Sequence, residues 1–536
     1  MFRLGLLRTA SLILLLRASA LAREVPITIL HTCDLHGNIL PTENYEGKTN
    51  LGGIARCATA IRQIREREKN VLLVDAGDTL QGTTLSFLSD GQVMVKCLNQ
   101  LRYDAWTWGN HEFDWGLNKL AACATRAEMP IVVANIRAAK DGGNPTSQQI
   151  VSRLKPYLMR EMDGVKVGVI GLDTPGVPDW SRPRLIPGLE FVDSVATLRQ
   201  IIPQVRAAGA QVLVLVCHQG YREAGDDHAN QINAIARTFP ELDAIIGAHT
   251  HRNFPEFKVS NVLYCQADYY GIHLGRVDLV FDTDKGRVIK RQSNTRLMDE
   301  QVPLDAGVLK LAGAELDRAQ KVSSTNIGEA TDDFWVRTAS KKETAIHELI
   351  FEAIADALHE HGASVDAIVH GIIENRYGLR KGAITIGDVW KVLPYENTIG
   401  VVQLTPAELR EVLEEDLDAY NNSAFRGMWG LKWTFDPEAK KGERTITLLR
   451  GDGSPLDEKQ RLAVAFNSYD LASGGKRWNR LRELVDRPES KLVEYDFQTR
   501  EAVINYVRKR GTIAPRVADW WTAKRGQQAA HPTESR

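Results

Sequence analysis

Five apolar, strand-like runs in the first half of the chain each end on side chains able to hold a metal ion. The clusters read His31-Thr-Cys-Asp34-Leu-His36-Gly-Asn38, Asp75-Ala-Gly-Asp78, Gly109-Asn110-His111-Glu112-Phe-Asp114, Cys217-His218 and Gly247-Ala-His249-Thr-His251. One His or Asp at a strand end commonly caps a turn. Seven candidates in this order, Asp34, His36, Asp78, Asn110, His218, His249 and His251, point instead to a two-metal hydrolytic centre.

The residue types fit that chemistry. Two divalent cations about 3.5–4 Å apart can clamp a phosphate, acidify a bound water and stabilise the charge of an in-line displacement. Cations that close need a bridging anion, and Asp78 is the best bridging candidate because a carboxylate can bridge and an imidazole cannot. Asp34 and His36, two residues apart at a strand end, face the same side and can serve one metal together. Imidazole with carboxylate and amide oxygen, and no thiolate, suits Zn, Mn, Co or Fe.

The apolar runs Ile27 to Leu30, Val71 to Val74, Ile131 to Ala134, Val165 to Leu172, Val212 to Val216 and Ala244 to Ile246 read as buried strands. Amphipathic segments separate several of them; between 53 and 69, Ile54, Cys57, Ala58, Ile61 and Ile64 share a helical face. The alternation predicts a layered α/β domain with its ligands at the carboxyl ends of the strands. At 536 residues the chain is too long for a single core, so a second domain is expected. A helix through 311–321 marks the connection, followed by a helix over 343–360 and strands at 365–369, 398–404 and 462–466.

A formal net charge of -1 offers no basic field for nucleic acid. Residues 1–22, with Arg3, Arg8, an apolar stretch and Ala20-Leu-Ala22, resemble a secretory signal, which predicts a periplasmic or secreted enzyme. No other stretch is long enough to span a membrane. The six cysteines form no small-scaffold disulfide framework, and core thiols are the expectation for most.

The clusters resemble those of the 5'-nucleotidase family of calcineurin-like metallophosphatases. The family's Asp-x-His, Gly-Asp, Gly-Asn-His-Glu-x-Asp and Gly-His-x-His elements have counterparts in Asp34 to His36, Gly77-Asp78, Gly109 to Asp114 and Gly247 to His251. Ala248 stands where glycine is common. The resemblance implies a four-layer α/β/β/α metallophosphatase domain over 23–300, a linker helix over 301–325, a smaller α+β substrate-binding domain over 326–525, and a polar tail over 526–536. It implies that the seven candidates bind two divalent metal ions, Zn, Mn or similar, and that His111 and Asp114 form a catalytic dyad. A carboxylate beside an imidazole favours the charged form, so His111 can stabilise phosphoryl charge or protonate the leaving oxygen.

By the same resemblance Asn110, Arg376, Tyr395 and Trp478 contact a small-molecule nucleotide: Arg376 its phosphate, the two aromatics its base. Arg380 is the alternative to Arg376. The loops here depart from the family pattern, with Glu374 before the arginine, Glu396 after the first aromatic, and Lys476 and Arg477 before the second. The expected activity is release of phosphate from nucleoside monophosphates, with nucleotide-sugar cleavage beside it. A 2',3'-cyclic phosphodiesterase, a thiosulfohydrolase and a non-catalytic binding protein are the competing readings.

Overall fold

The computed structural model describes residues 23–140, 143–335, 342–372 and 376–524. The signal-like segment 1–22, Glu374 and the tail 526–536 lie outside them. Two sheets form the middle of the first half. One runs Arg287–Leu297, His273–Asp282, Glu24–Thr32, Val71–Asp75, Ala105–Trp106, Ile131–Val132, Leu154–Lys155. The other runs Asn253–Val259, Val262–Ala267, Ala244–Gly247, Val212–Cys217, Val165–Leu172, Tyr157–Met162.

Period-two side-chain alternation makes the layers. Val212, Val214 and Val216 face inward with Ile27, Ile29, Val74 and Val277 of the opposite sheet, forming one apolar core. Leu213, Leu215 and Cys217 face outward and pack with Leu198, Ile202 and Ile235 of helices Ser194–Ala207 and Ile232–Thr238. Across the molecule Leu30 and Leu73 pack under Ile54, Cys57 and Ile61 of helix Ile54–Arg65. The order is therefore helix, sheet, sheet, helix. Strands covered on both faces read as continuous apolar runs, which is why they stand out in the sequence.

Helix Ala306–Ser323 follows, capped by Asp305, whose side chain accepts from Val308 N at 2.9 Å. Beyond it lies a smaller α+β unit with its own core. Its main sheet runs Met428–Trp429, Ala367–Val369, Leu462–Asn467, Thr398–Leu404, Val493–Gln498, with helices Ala345–Glu360 and Thr499–Arg510 among those packed on it. The six cysteines are buried free thiols. Among the described residues, no helix is long and apolar enough to cross a membrane.

Candidate active site

Parallel pairing brings the strand ends into line. Thr32 is opposite Asp75, Asp75 opposite Trp106, and Val216 opposite Ile246, so the loops that follow open on one edge. Those loops turn sharply: Asp34, His36, Asp78, His249 and His251 all hold left-handed backbone, with φ of 49°, 46°, 53°, 71° and 51°. Side chains other than glycine rarely adopt this conformation, and such strain concentrates at functional sites. Gly109 permits the closest approach. A Cβ there would lie 2.4 Å from Asp78 Oδ1 and 2.6 Å from the His218 ring.

The candidate ligands gather in two groups, Asp34 with His36 and His251, and Asp78 with His218 and His249. Each group sets an imidazole nitrogen against a carboxylate oxygen, His251 Nε2 3.4 Å from Asp34 Oδ1 and His218 Nε2 3.0 Å from Asp78 Oδ2. His36 Nδ1 donates to the Gln81 carbonyl at 2.9 Å, which leaves its Nε2 as an acceptor 3.1 Å from His251 Nε2 and 3.7 Å from Asp78 Oδ2. His218 Nδ1 donates to the Ala76 carbonyl at 2.9 Å, and its Nε2 lies 3.0 Å from Asp78 Oδ2 outside hydrogen-bond geometry. Asn110 Oδ1 is buried without a hydrogen-bond partner among the described residues. Buried acceptors facing acceptors are unfavourable unless a cation lies between them, and the Nδ1 hydrogen bonds fix the tautomers that metal binding needs. Asp78 reaches imidazoles of both groups, as a bridging carboxylate must. Burial holds His36 and His249 neutral, with pKa values lowered to about 3. Burial also opposes charge on His218, but Asp78 draws a proton onto it and lifts it to about 10, where a cation would take the proton's place.

His111 Nδ1 lies 2.7 Å from Asp114 Oδ2, and its backbone N–H donates to Asp78 Oδ1 at 2.8 Å. Burial works against the imidazolium, yet Asp114 and Asp78 outweigh it and raise His111 to about 10.

Two buried carboxylates beside the centre, Glu112 and Asp75, have a role that the sequence alone does not show. Glu112 accepts from the backbone N–H groups of Asp78 at 2.8 Å, Thr79 at 2.7 Å, Leu80 at 3.1 Å and Gly109 at 2.7 Å, clamping two ligand loops together. Asp75 accepts from Thr32 Oγ1 at 2.6 Å and Thr79 Oγ1 at 2.5 Å. Both stand inside the quoted motifs, so position within the motif was the available signal.

A cavity of about 370 Å³ opens from the centre toward the smaller unit. Asn110, His111, Asp114 and His249 line one side; Tyr395, Arg426, Tyr469 and Arg477 line the other. Tyr395 stacks on His111, ring centres 5.9 Å apart and 22° from parallel. Trp478 is placed differently from the expectation. It is 2% exposed, packed in the core of the smaller unit, and is not part of the cavity wall; Trp180 and Tyr469 are the aromatics there beside Tyr395. Arg376 also lies off the cavity wall, 4.8 Å over the Tyr45 ring and donating to the Asn44 carbonyl at 3.1 Å. Tyr45 in turn contacts His251 Nδ1 at 2.6 Å. Arg380 pairs with Asp333 at 3.2 Å. Glu396 joins the two units: it accepts from Gln81 Nε2 at 2.7 Å and pairs with Arg500 at 2.8 Å.

Fold and centre together define a metal-dependent phosphoesterase. Residues 27–253 match the calcineurin-like phosphoesterase family and residues 326–483 match the 5'-nucleotidase C-terminal domain. The chain is 31% identical to a snake venom 5'-nucleotidase of Naja atra, covering 91% of this chain and 97% of that protein. It is 28% identical to a 2',3'-cyclic-nucleotide 2'-phosphodiesterase/3'-nucleotidase of Salmonella typhimurium, covering 86% and 83%. The crystal structure of a 5'-nucleotidase precursor from Thermus thermophilus superposes with a TM-score of 0.71 at 25% identity, covering 93% of this chain and 99% of that one. The chain belongs to the 5'-nucleotidase family and is a phosphoric ester hydrolase.

Proposed function

We propose that the protein releases phosphate from nucleoside 5'-monophosphates, with cleavage of nucleotide sugars as a second activity. The observation that carries the reading is the His111–Asp114 pair opening onto the same cavity as the two groups of candidate metal ligands. The seven candidate ligands would hold two divalent cations, Zn, Mn or similar, which when bound would acidify a water and neutralise phosphate oxygens. His111 holds its proton through Asp114 and presents a cationic edge to the phosphoryl group or the leaving oxygen. Asn110 directs an amide into the cavity beside it. Tyr395 and Tyr469 offer aromatic faces to a base, a contact each ring can make for about 1–3 kcal/mol.

In this reading 23–300 carries the chemistry, 301–325 connects, and 326–525 supplies the substrate wall. The relatives named as venom 5'-nucleotidases, together with the signal-like start, support a periplasmic or secreted enzyme.

The test is phosphate release by the chain from Arg23 onward, stripped of metal and resupplied with Mn or Zn, on AMP, UMP, UDP-glucose, a 2',3'-cyclic nucleotide and ribose 5-phosphate. Metal-dependent release strongest on a 5'-monophosphate is expected. Turnover of the cyclic nucleotide alone would overturn the reading.

A further inference from the structure

We propose that Arg426 and Arg477 read the far edge of the substrate, selecting purine nucleotides that present a 6-carbonyl acceptor there over those that present a 6-amine. The inference rests on the nucleotide reading above and adds the base to it.

Arg426 is 1% exposed, yet it lines the cavity. Asp470 takes two of its donors, Nε at 2.8 Å and Nη2 at 2.9 Å. Asp470 is itself fixed by Asn467, which donates to it at 2.6 Å and accepts its backbone N–H at 2.9 Å. The third nitrogen, Nη1, has no hydrogen-bond partner among the described residues. Nη1 is therefore free to donate to a ligand acceptor in the cavity. Arg477 lines the same cavity, exposed, with Nε on the Gly474 carbonyl at 3.0 Å and no carboxylate partner among the described residues.

The cavity's two carboxylates are already engaged, Asp114 with His111 and Glu396 with Arg500 and Gln81. On the wall formed by the smaller unit the charged groups left to meet a ligand are the donors of Arg426 and Arg477. Because Asp470 neutralises Arg426, that guanidinium has a hydrogen bond to give but little net charge, which suits a neutral carbonyl or ring nitrogen better than a second anion. An arginine fork matches the O6 and N7 acceptors of guanine, and hypoxanthine shares that edge. Adenine sets its 6-amino donor against the same N–H groups, and a site built for one pattern rejects the other strongly. A cavity of about 370 Å³ is in the range of small-ligand sites.

The experiment compares kcat/KM for IMP, GMP, AMP and ribose 5-phosphate on the full metal-loaded enzyme. IMP and GMP are expected to exceed AMP by about tenfold or more. The paired change Arg426→Gln with Asp470→Asn keeps the buried site neutral and should bring the IMP/AMP ratio close to one; Arg477→Gln should lower it in part. Inhibition of the unaltered enzyme by inosine and adenosine gives the same comparison without any substitution, inosine being the tighter. AMP equal to or better than IMP, or a ratio that survives the paired change in a folded protein, overturns the assignment while leaving the nucleotidase reading intact. Release from ribose 5-phosphate with all nucleotides inert overturns both.

Discussion

On the phosphoesterase side of the cavity, coordination chemistry dictates the side chains: five of seven candidate ligands take left-handed backbone, and His36 and His218 are aimed by carbonyls behind them. On the opposite side no such demand exists, and the wall is whatever loops the smaller unit packs there. A ligand position tolerates a handful of residue types at one geometry. A substrate wall tolerates many, and an aromatic drawn into the core can be replaced by another a few residues away. Trp478 and Tyr469 show this: Trp478 is 2% exposed, while Tyr469, from helix Ser468–Leu471, takes the cavity face. Function is thus fixed early on one side and stays adjustable on the other.

The largest effects should come from the first side. His111→Asn is expected to lower turnover about 10²–10⁴-fold with metal content unchanged by elemental analysis. Metal lost together with turnover would make His111 part of the scaffold instead. Glu112→Gln tests whether the carboxylate clamp behind the ligands matters. An amide cannot accept four backbone N–H groups as the carboxylate does, so metal affinity should fall about 10–100-fold in a chelator competition. An unchanged affinity would show that the ligand loops hold their strained turns unaided.

Legibility follows the same divide. The strands buried on both faces were readable as apolar runs, and the runs Val165 to Leu172 and Val212 to Val216 fall within strands Val165–Leu172 and Val212–Cys217. The pairing of His273–Asp282 with Arg287–Leu297 was not, because Arg287–Leu297 is an edge strand, mostly exposed and polar, with no buried run to mark it. The ligand clusters were readable because metal chemistry admits few substitutes. Arg426 and Tyr469 were not, because their meeting at the cavity depends on the turn at 467–470 and on Asp416, which reach Arg426 from separate segments. Nor could the resemblance reveal that Trp478 turns inward, with its ring edge against Gly474.

Two substitutions sharpen the contrast on the adjustable side. Trp478→Ala should cost about 3–5 kcal/mol in denaturant unfolding, as expected for an aromatic removed from a core. Tyr469→Ala should leave stability near that of the unaltered protein and raise KM, consistent with a lost stacking contact of about 1–3 kcal/mol. If Trp478→Ala instead raised KM without loss of stability, the tryptophan would be meeting substrate in another arrangement of the loop.

The smallest effect is expected at Arg376. Its guanidinium lies on the Tyr45 ring, off the cavity wall, and such an exposed contact is worth about 0.5–1 kcal/mol. Arg376→Ala should therefore change kcat/KM for AMP by no more than about fivefold. Any change should travel through Tyr45 to His251, whose Nδ1 its hydroxyl touches at 2.6 Å, and so should be matched by Tyr45→Phe. A loss of a hundredfold or more in Arg376→Ala alone would mean that the arginine leaves Tyr45 to grip phosphate during turnover. The adjustable side would then hold a catalytic demand as strict as that of the metal loops.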